Sequence, residues 1–114
     1  MTDRFDSETV RRFLTSSGVS VTVFDEVDST NRIALELAEG GAPEGTAIVA
    51  ASQTAGRGRL GRSFPSPPGT GIYLSILLRP SVVPEKAVNL TACTAVAMCD
   101  AVQAAVGVRP QIKW

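Results

Sequence analysis

The sequence contains no histidine. The commonest general base and the commonest metal ligand are therefore missing together. Serine–histidine and cysteine–histidine nucleophile systems are excluded within the chain, and so are HExxH zinc sites. Cysteine is scarce as well: Cys93 and Cys99 lie six positions apart in a segment that reads as one helix. Six residues advance a helix by about 600°, so the two side chains diverge by roughly 120° and suit neither a CxxC pair nor a disulfide. They read as two small buried apolar residues of a reducing compartment. The formal net charge is zero, which argues against a bulk nucleic-acid binder. The N-terminus, MTDRFDSETV, has acids where a signal peptide needs bases, and no apolar stretch. The longest apolar segment, Ala87 to Val106, is alanine-rich and carries Asn89, Asp100 and Gln103. It reads as a packed helix of a soluble protein rather than a membrane span. A cytoplasmic location is expected.

What is present is an ordinary folded composition. At 114 residues, 44% apolar and 19% charged, the chain is one domain or part of one, not a disordered segment. Charge is unevenly placed. Residues 1–44 hold nine acids against four arginines, whereas residues 45–84 hold four arginines and no acid. Arg57, Arg59 and Arg62 fall together. A locally positive loop in a neutral protein points to one small anion rather than a polyanion surface.

Periodicity gives the elements. Asp6 to Ser16 reads as a short helix ended by Gly18. Val21 to Phe24 alternates as a strand. Arg32 to Glu39 reads as a helix with Ile33, Ala34, Leu37 and Ala38 as its apolar positions, Ser29 as its N-cap and Gly40-Gly41 at its end. Thr46 to Ala51 is a short apolar run that suits a buried strand. Gly71 to Arg79 is the clearest strand. Pro80 and Pro84 then break the chain. Glu85 to Val106 reads as a long helix with Leu90, Cys93, Ala97, Ala101 and Ala104 along one face, and Val108 to Trp114 as a last strand. The strands flanking residues 53–70 lack a helical crossover and should be antiparallel. An α+β fold with a mixed, largely antiparallel sheet and packed helices follows.

Residues 53–70, QTAGRGRLGRSFPSPPGT, hold four glycines and three prolines, which should forbid a regular element. Loops of this length in compact domains are usually functional. Gly56 to Gly61 matches G-x-G-x-x-G literally, but Arg-Ser-Phe-Pro-Ser-Pro-Pro follows where a dinucleotide site needs a helix. The acid expected about 20 positions on is absent too. No GK[ST] occurs, so there is no P-loop. Anion-binding chemistry remains. Glycines let backbone N–H groups approach a phosphate closely, and arginines add bidentate, permanently charged donors. Such a loop should order when its anion arrives, as a lid does. Separately, Ser29-Thr30-Asn31 gathers hydroxyls, an amide and free N–H groups at a helix start. Those groups suit a small neutral ring needing both donors and acceptors, although a plain helix cap uses the same residues.

Taken together these stretches resemble the biotin protein ligases. The resemblance runs through Val27-Asp28-Ser29-Thr30-Asn31, the loop from Gln53 to Arg62, Ser66-Pro67, Gly71 to Ser75, Leu78-Arg79-Pro80 and Lys113-Trp114, in the family's order over residues 21–114. It implies a fold of the class II aminoacyl-tRNA synthetase and biotin ligase kind. It further implies ATP-dependent, AMP-forming activation of biotin, followed by transfer to a lysine of a biotin carboxyl carrier protein, of acetyl-CoA carboxylase or another biotin-dependent carboxylase. No step of that chemistry needs histidine, cysteine or a covalent enzyme intermediate; positioning and charge stabilisation suffice. By the same resemblance, Ser29, Thr30, Asn31 and Gln53 would meet the ureido ring. Arg57, Gly58 and Arg59 would hold the carboxylate and phosphate of the adenylate. Gly56, Gly61, Arg62 and Phe64 would complete the loop over it, Phe64 standing near the adenine where the family usually has tryptophan. Magnesium would arrive with ATP, and no residue is named as its ligand. Neither DNA nor membrane is expected as a partner.

The resemblance carries an expectation about extent. Residues 1–114 would be the N-terminal portion of the catalytic domain, without the optional helix-turn-helix domain and the C-terminal barrel. The family's Lys-Trp continues as Pro-Asn-Asp, with a further lysine later, so this chain alone is expected to have little or no activity. A lipoate-type ligase shares the chemistry but has a different arginine–glycine motif, and lipoate lacks a ureido ring. A non-enzymatic loop binding RNA or phosphate would want more aromatic neighbours than Phe64 and Tyr73. A remnant that folds poorly and binds nothing is the last alternative.

Overall fold

The computed structural model describes residues 20–81 and 84–113. The helix expected over Asp6 to Ser16 lies outside them. The chain divides into two compact units, Met1–Arg79 and Pro80–Trp114.

In the first unit the order is β1 (Val21–Val27), α1 (Thr30–Glu39), β2 (Ala47–Gln53) and β3 (Tyr73–Ile76), with a 3-10 turn at Arg59–Gly61 between the last two. The sheet order is β1-β2-β3. β1 and β2 run parallel, Val21 opposite Ala47 and Val27 opposite Gln53. A parallel pair needs a crossover, and α1 supplies it. β2 and β3 run antiparallel, Ala47 opposite Ile76 and Ala50 opposite Tyr73, as the missing crossover required. The sheet is therefore mixed, with one ladder of each kind.

β2 is the centre. Ala47, Ile48, Val49 and Ala50 are all buried, Ile48 completely. A strand buried on both faces reads as a continuous apolar run rather than an alternating one, which explains the sequence AIVAA. α1 packs on β2 and β3. Its start is set by Ser29, whose extended backbone and hydroxyl, accepting from Arg32 N at 3.4 Å, make the N-cap. Its end is set by Gly40, whose N–H bonds back to Glu36 O at 3.0 Å. Arg79, beyond β3, returns to that end. Its guanidinium donates to Ala38 O at 2.9 Å and to Ala42 O at 2.7 and 3.0 Å, placing positive charge on the carbonyl end of the helix. The β3 strand is shorter than Gly71 to Arg79, because only Tyr73–Ile76 meet partners on β2.

The second unit holds α2 (Pro84–Val106). Its length and composition would suffice to cross a membrane, with a mean hydropathy of 1.2 over its most apolar stretch. Within its own unit the face expected to pack is largely uncovered: Cys93, Ala97, Ala101 and Ala104 are exposed and Leu90 half-buried. Among the described residues of this unit, the segment after Gly107 folds back on the helix and covers Cys99, whose thiol lies 3.6 Å from Pro110 O. Cys93 is accordingly exposed, not buried as expected, and Cys99 is buried. Arg109 anchors the return by donating to Asp100 at 2.7 Å and Gln103 at 2.9 Å. The strand expected over Val108 to Trp114 is absent among the described residues 108–113, and Trp114 lies outside them. An apolar run becomes a strand only when another strand takes its N–H and C=O groups, and no described residue pairs with this one.

Candidate functional site

The sheet brings three stretches to one place. The first turn of α1, the end of β2 and the start of β3 meet around a cavity of about 210 Å3. Six of the residues singled out in the sequence line it: Ser29, Thr30, Asn31, Gln53, Arg57 and Phe64. Ile72, Tyr73 and Leu74, marked in the sequence only as part of the family's pattern and not as site residues, complete the wall. A wider depression of about 530 Å3 lies between α1 and β3. Its lining is mostly apolar, from Ala34, Leu35, Ile76 and Leu78 among others, with Asn31 and Ser75 as its polar side chains; the smaller cavity gathers more polar groups together with Arg57 and is the candidate.

Polar groups at the small cavity are held in fixed directions. Gln53 Oε1 accepts from Thr30 N at 2.8 Å, which occupies a helix-start N–H that no carbonyl of the helix can reach. The Asn31 N–H, next along, has no acceptor among the described residues. Gln53 Nε2 donates to Ser66 Oγ at 3.0 Å, and Ser66 Oγ donates to Phe64 O at 2.9 Å. The amide of Gln53 is thus fixed at both ends and cannot be reversed without breaking two bonds. Thr30 Oγ1 lies 3.2 Å from Gln53 Oε1 and 2.8 Å from Ser75 Oγ, and Ser75 Oγ also donates to Asn31 Oδ1. No buried side-chain polar atom among the described residues is left without a partner. Ser66 and Ser75 belong to this arrangement although only their place in the family's sequence pattern, and no chemistry of their own, had marked them.

The arginine–glycine loop is more regular than its composition predicts. Arg57 and Ser63 form an antiparallel bridge, and so do Gln53 and Ser66. Gly58 N donates to Arg62 O and Phe64 N to Gly56 O, each at 2.7 Å. The result is a small hairpin whose tip is the Arg59–Gly61 turn. Reversal there is achieved by two left-handed residues in succession, Leu60 at φ 59° and Gly61 at φ 73°. Glycine takes such angles freely; leucine does not. Gly56 has a different role. A Cβ built on it would stand 2.4 Å from Ser66 Oγ and 2.5 Å from Phe64 O, so only glycine lets the loop lie against Gln53.

The proposed anion ligands are distributed as follows. Arg57 lines the cavity and is exposed. Arg62 is exposed on the return strand of the hairpin. Neither has a carboxylate partner among the described residues, where the ion pairs are those of Arg32 with Asp28 and Glu36 and of Arg109 with Asp100. Arg59 contributes its backbone to the turn; its side chain lies outside what is described. The Gly58 N–H is engaged by Arg62 O, while Phe64 presents a half-exposed ring at the cavity mouth. Beside the site, the Arg32 guanidinium bonded to Asp28 holds that carboxyl below the ordinary aspartate range, with Ser29 N adding to the effect. Asp28 therefore stays ionised next to the start of α1, where negative charge is favoured. The described residues contain no group of three or more metal-ligating side chains.

The chain is similar to known proteins. A bifunctional ligase/repressor BirA of Bacillus spizizenii is 47% identical over 90 residues, covering 79% of this chain and 28% of its own length. That of Escherichia coli is 35% identical over 97 residues, covering 85% and 30%. The chain thus spans about 28–30% of the length of these relatives. Among solved structures, the biotin protein ligase of Aquifex aeolicus in complex with biotin and ATP superposes with a TM-score of 0.68 at 36% identity, covering 83% of this chain and 39% of that one. The Leishmania major biotin protein ligase in complex with biotinyl-5-AMP gives 0.62 at 31% identity, covering 76% and 35%. The sequence model of the Biotin/lipoate A/B protein ligase family matches residues 23–114, and the chain belongs to that family.

Proposed function

We propose that the protein activates biotin with ATP and passes it to a lysine of a carrier protein. The observation that carries this reading is the juxtaposition in one cavity of a fixed, neutral set of donors and acceptors with Arg57 of the hairpin, which has no carboxylate partner among the described residues. The first suits a cyclic urea; the second suits a carboxylate becoming a phosphate ester. At about 210 Å3 the cavity is smaller than the ~300–1,000 Å3 of whole small-molecule sites. In this reading it receives the ring end of the ligand, and the hairpin lies along the rest.

In the first step a biotin carboxylate oxygen attacks the α-phosphorus of ATP. The bond to the bridging oxygen breaks and pyrophosphate leaves. In the second, the carrier lysine amine attacks the acyl carbon of biotinyl-AMP, the acyl–oxygen bond breaks, and AMP leaves while the nitrogen gives up a proton. Neither step needs a covalent bond to the enzyme. Thr30, Asn31 and Gln53 would fix the ring, which places the carboxylate; orientation of this sort can account for much of a barrier. Arg57 and, by the family's pattern, Arg59 would stabilise the charge gathering on the phosphate oxygens. Phe64 would offer a stacking face to adenine. With no acidic cluster in the described residues, magnesium would come bound to the phosphates of its substrate ATP. The whole reaction belongs to proteins of which this chain spans about a third or less, and 114 residues alone are expected to turn over little or nothing.

The test is calorimetric titration of biotin into the protein as it occurs in the cell, with and without ATP and magnesium, alongside pyrophosphate release. Tight biotin binding with ATP-dependent pyrophosphate release supports the reading. Binding of lipoate instead of biotin, or a steeply salt-dependent affinity for RNA, would replace it.

A further inference from the structure

Behind the cavity, two hydroxyls serve three contacts. Thr30 and Ser75 are 4% and 8% exposed. Thr30 Oγ1 lies within reach of both Gln53 Oε1 and Ser75 Oγ, at 3.2 and 2.8 Å, and Ser75 Oγ reaches the Asn31 amide. Each hydroxyl has one proton to give. Gln53 is already fixed by Thr30 N and Ser66, so the free choice lies at Asn31. In one order, Thr30 donates to Ser75 and Ser75 donates to Asn31 Oδ1, which leaves the Asn31 N–H groups for a ligand. In the reverse order the amide is turned, Asn31 donates to Ser75, Ser75 to Thr30 and Thr30 to Gln53 Oε1, which leaves the Asn31 oxygen for a ligand. Asn31 turns Oδ1 toward Ser75 Oγ, which only the first order allows, and Thr30 Oγ1 lies nearer to Ser75 Oγ, at 2.8 Å, than to Gln53 Oε1, at 3.2 Å, the contact that this order gives up. Asn31 lines the cavity and Ser75 does not.

We propose that Ser75 is a positioning residue that sets the Asn31 amide to donate, and so selects a ring carrying a carbonyl acceptor over the same ring carrying a donor. The proposal rests on the biotin reading above. Ser75 acts at one remove: it touches Asn31 and Thr30, and those touch the ligand. A site built around a polar group rejects the analogue of opposite polarity because a buried group is then left unpaired.

The pair of probes is biotin and protonated 2-iminobiotin, in which a cyclic guanidinium replaces the urea and an N–H donor stands where the carbonyl oxygen was. Both are titrated calorimetrically into the protein as it occurs in the cell and into Ser75→Ala, Ser75→Thr, Asn31→Ala and the Ser75→Ala/Asn31→Ala double variant. The native protein should prefer biotin. Ser75→Ala should cut that preference by about tenfold, Ser75→Thr should restore it, and the double variant should match Asn31→Ala, because the two residues act as one unit. Asn31 is exposed, so its variant reads out the same loss should Ser75→Ala fail to fold. A Ser75→Ala protein that weakens both ligands by the same factor, or an Asn31→Ala protein with native preference, overturns the proposal. A native protein that binds neither ligand overturns the biotin reading and the proposal with it.

Discussion

Replacing Gly56 by alanine should disable the hairpin while leaving the sheet intact. The new Cβ would stand 2.4 Å from Ser66 Oγ, 2.5 Å from Phe64 O and 2.9 Å from Gln53 Nε2. Comfortable separations between carbon and its neighbours are nearer 3.5–4.0 Å, so something must move by about an ångström. Ser66 Oγ can rotate away, but it then gives up its bonds with Phe64 O and Gln53 Nε2. Phe64 O is backbone, and shifting it disturbs the Phe64 N bond to Gly56 O. Overpacking costs typically 1–3 kcal/mol, and each lost hydrogen bond about 0.5–1.5 kcal/mol. A total of about 3 kcal/mol would weaken ligand binding by roughly 100-fold. The strain can be relieved by opening the hairpin, whose bridges lie outside the pairings of fully buried Ile48 with Thr22 and Ser75, so thermal stability should fall by less than that figure. Biotin calorimetry paired with a melting curve separates the two effects. Biotin affinity for Gly56→Ala within threefold of the native protein would refute the steric reasoning.

Four further outcomes follow from the same geometry. Gly40→Ala meets only ordinary contacts of 3.6 Å with Glu36 O and Leu37 O, so it should be neutral or stabilising by up to about 1 kcal/mol in denaturant unfolding. Arg79→Ala removes the donors at the end of α1 and should lower stability by about 1 kcal/mol, a few degrees in melting temperature for a domain of this size; an unchanged melt would deny the clamp. A thiol reagent should modify Cys93 rapidly and Cys99 only on unfolding, given their exposed and buried positions; equal rates would contradict the packing of Cys99 under Pro110. The Asp28 carboxyl should titrate below its ordinary value of 3.8. Because the folded form is the stronger acid, its contribution is complete above the unfolded pKa and fades as pH falls through the folded one. NMR titration of that side chain gives the midpoint directly, and a midpoint above 3.8 would reverse the assignment.

The elements most legible in the sequence were those with local causes. Ser29 before an amphipathic run and Gly40 after it bracket α1, because caps are written in the residues that make them. The apolar run at β2 announced a strand buried on both faces. The antiparallel pairing of β2 with β3 followed from the absence of a helix between them. The failures have non-local causes. Whether residues 108–113 form a strand depends on a partner that no local pattern can supply. Whether Cys93 is buried depends on what covers α2. The hairpin within residues 53–70 depends on a left-handed Leu60, a conformation no propensity favours. At the site, the residue types pointed to Thr30, Asn31 and Arg57 because their chemistry is visible one residue at a time, whereas Gln53 was marked by the family resemblance. Ser66 and Ser75 act through hydrogen bonds to residues 13 and 44 or 45 positions away, and a serine in a strand or loop gives no hint of that on its own.

The most direct measurement is the exchange of labelled pyrophosphate into ATP by the protein as it occurs in the cell, with biotin, with lipoate and with neither. It reports the reversible first step alone and needs no carrier protein. The account predicts exchange that requires biotin and is not supported by lipoate. Exchange with lipoate only, or none with either acid, would contradict the assignment of this cavity and its arginine hairpin to biotin activation.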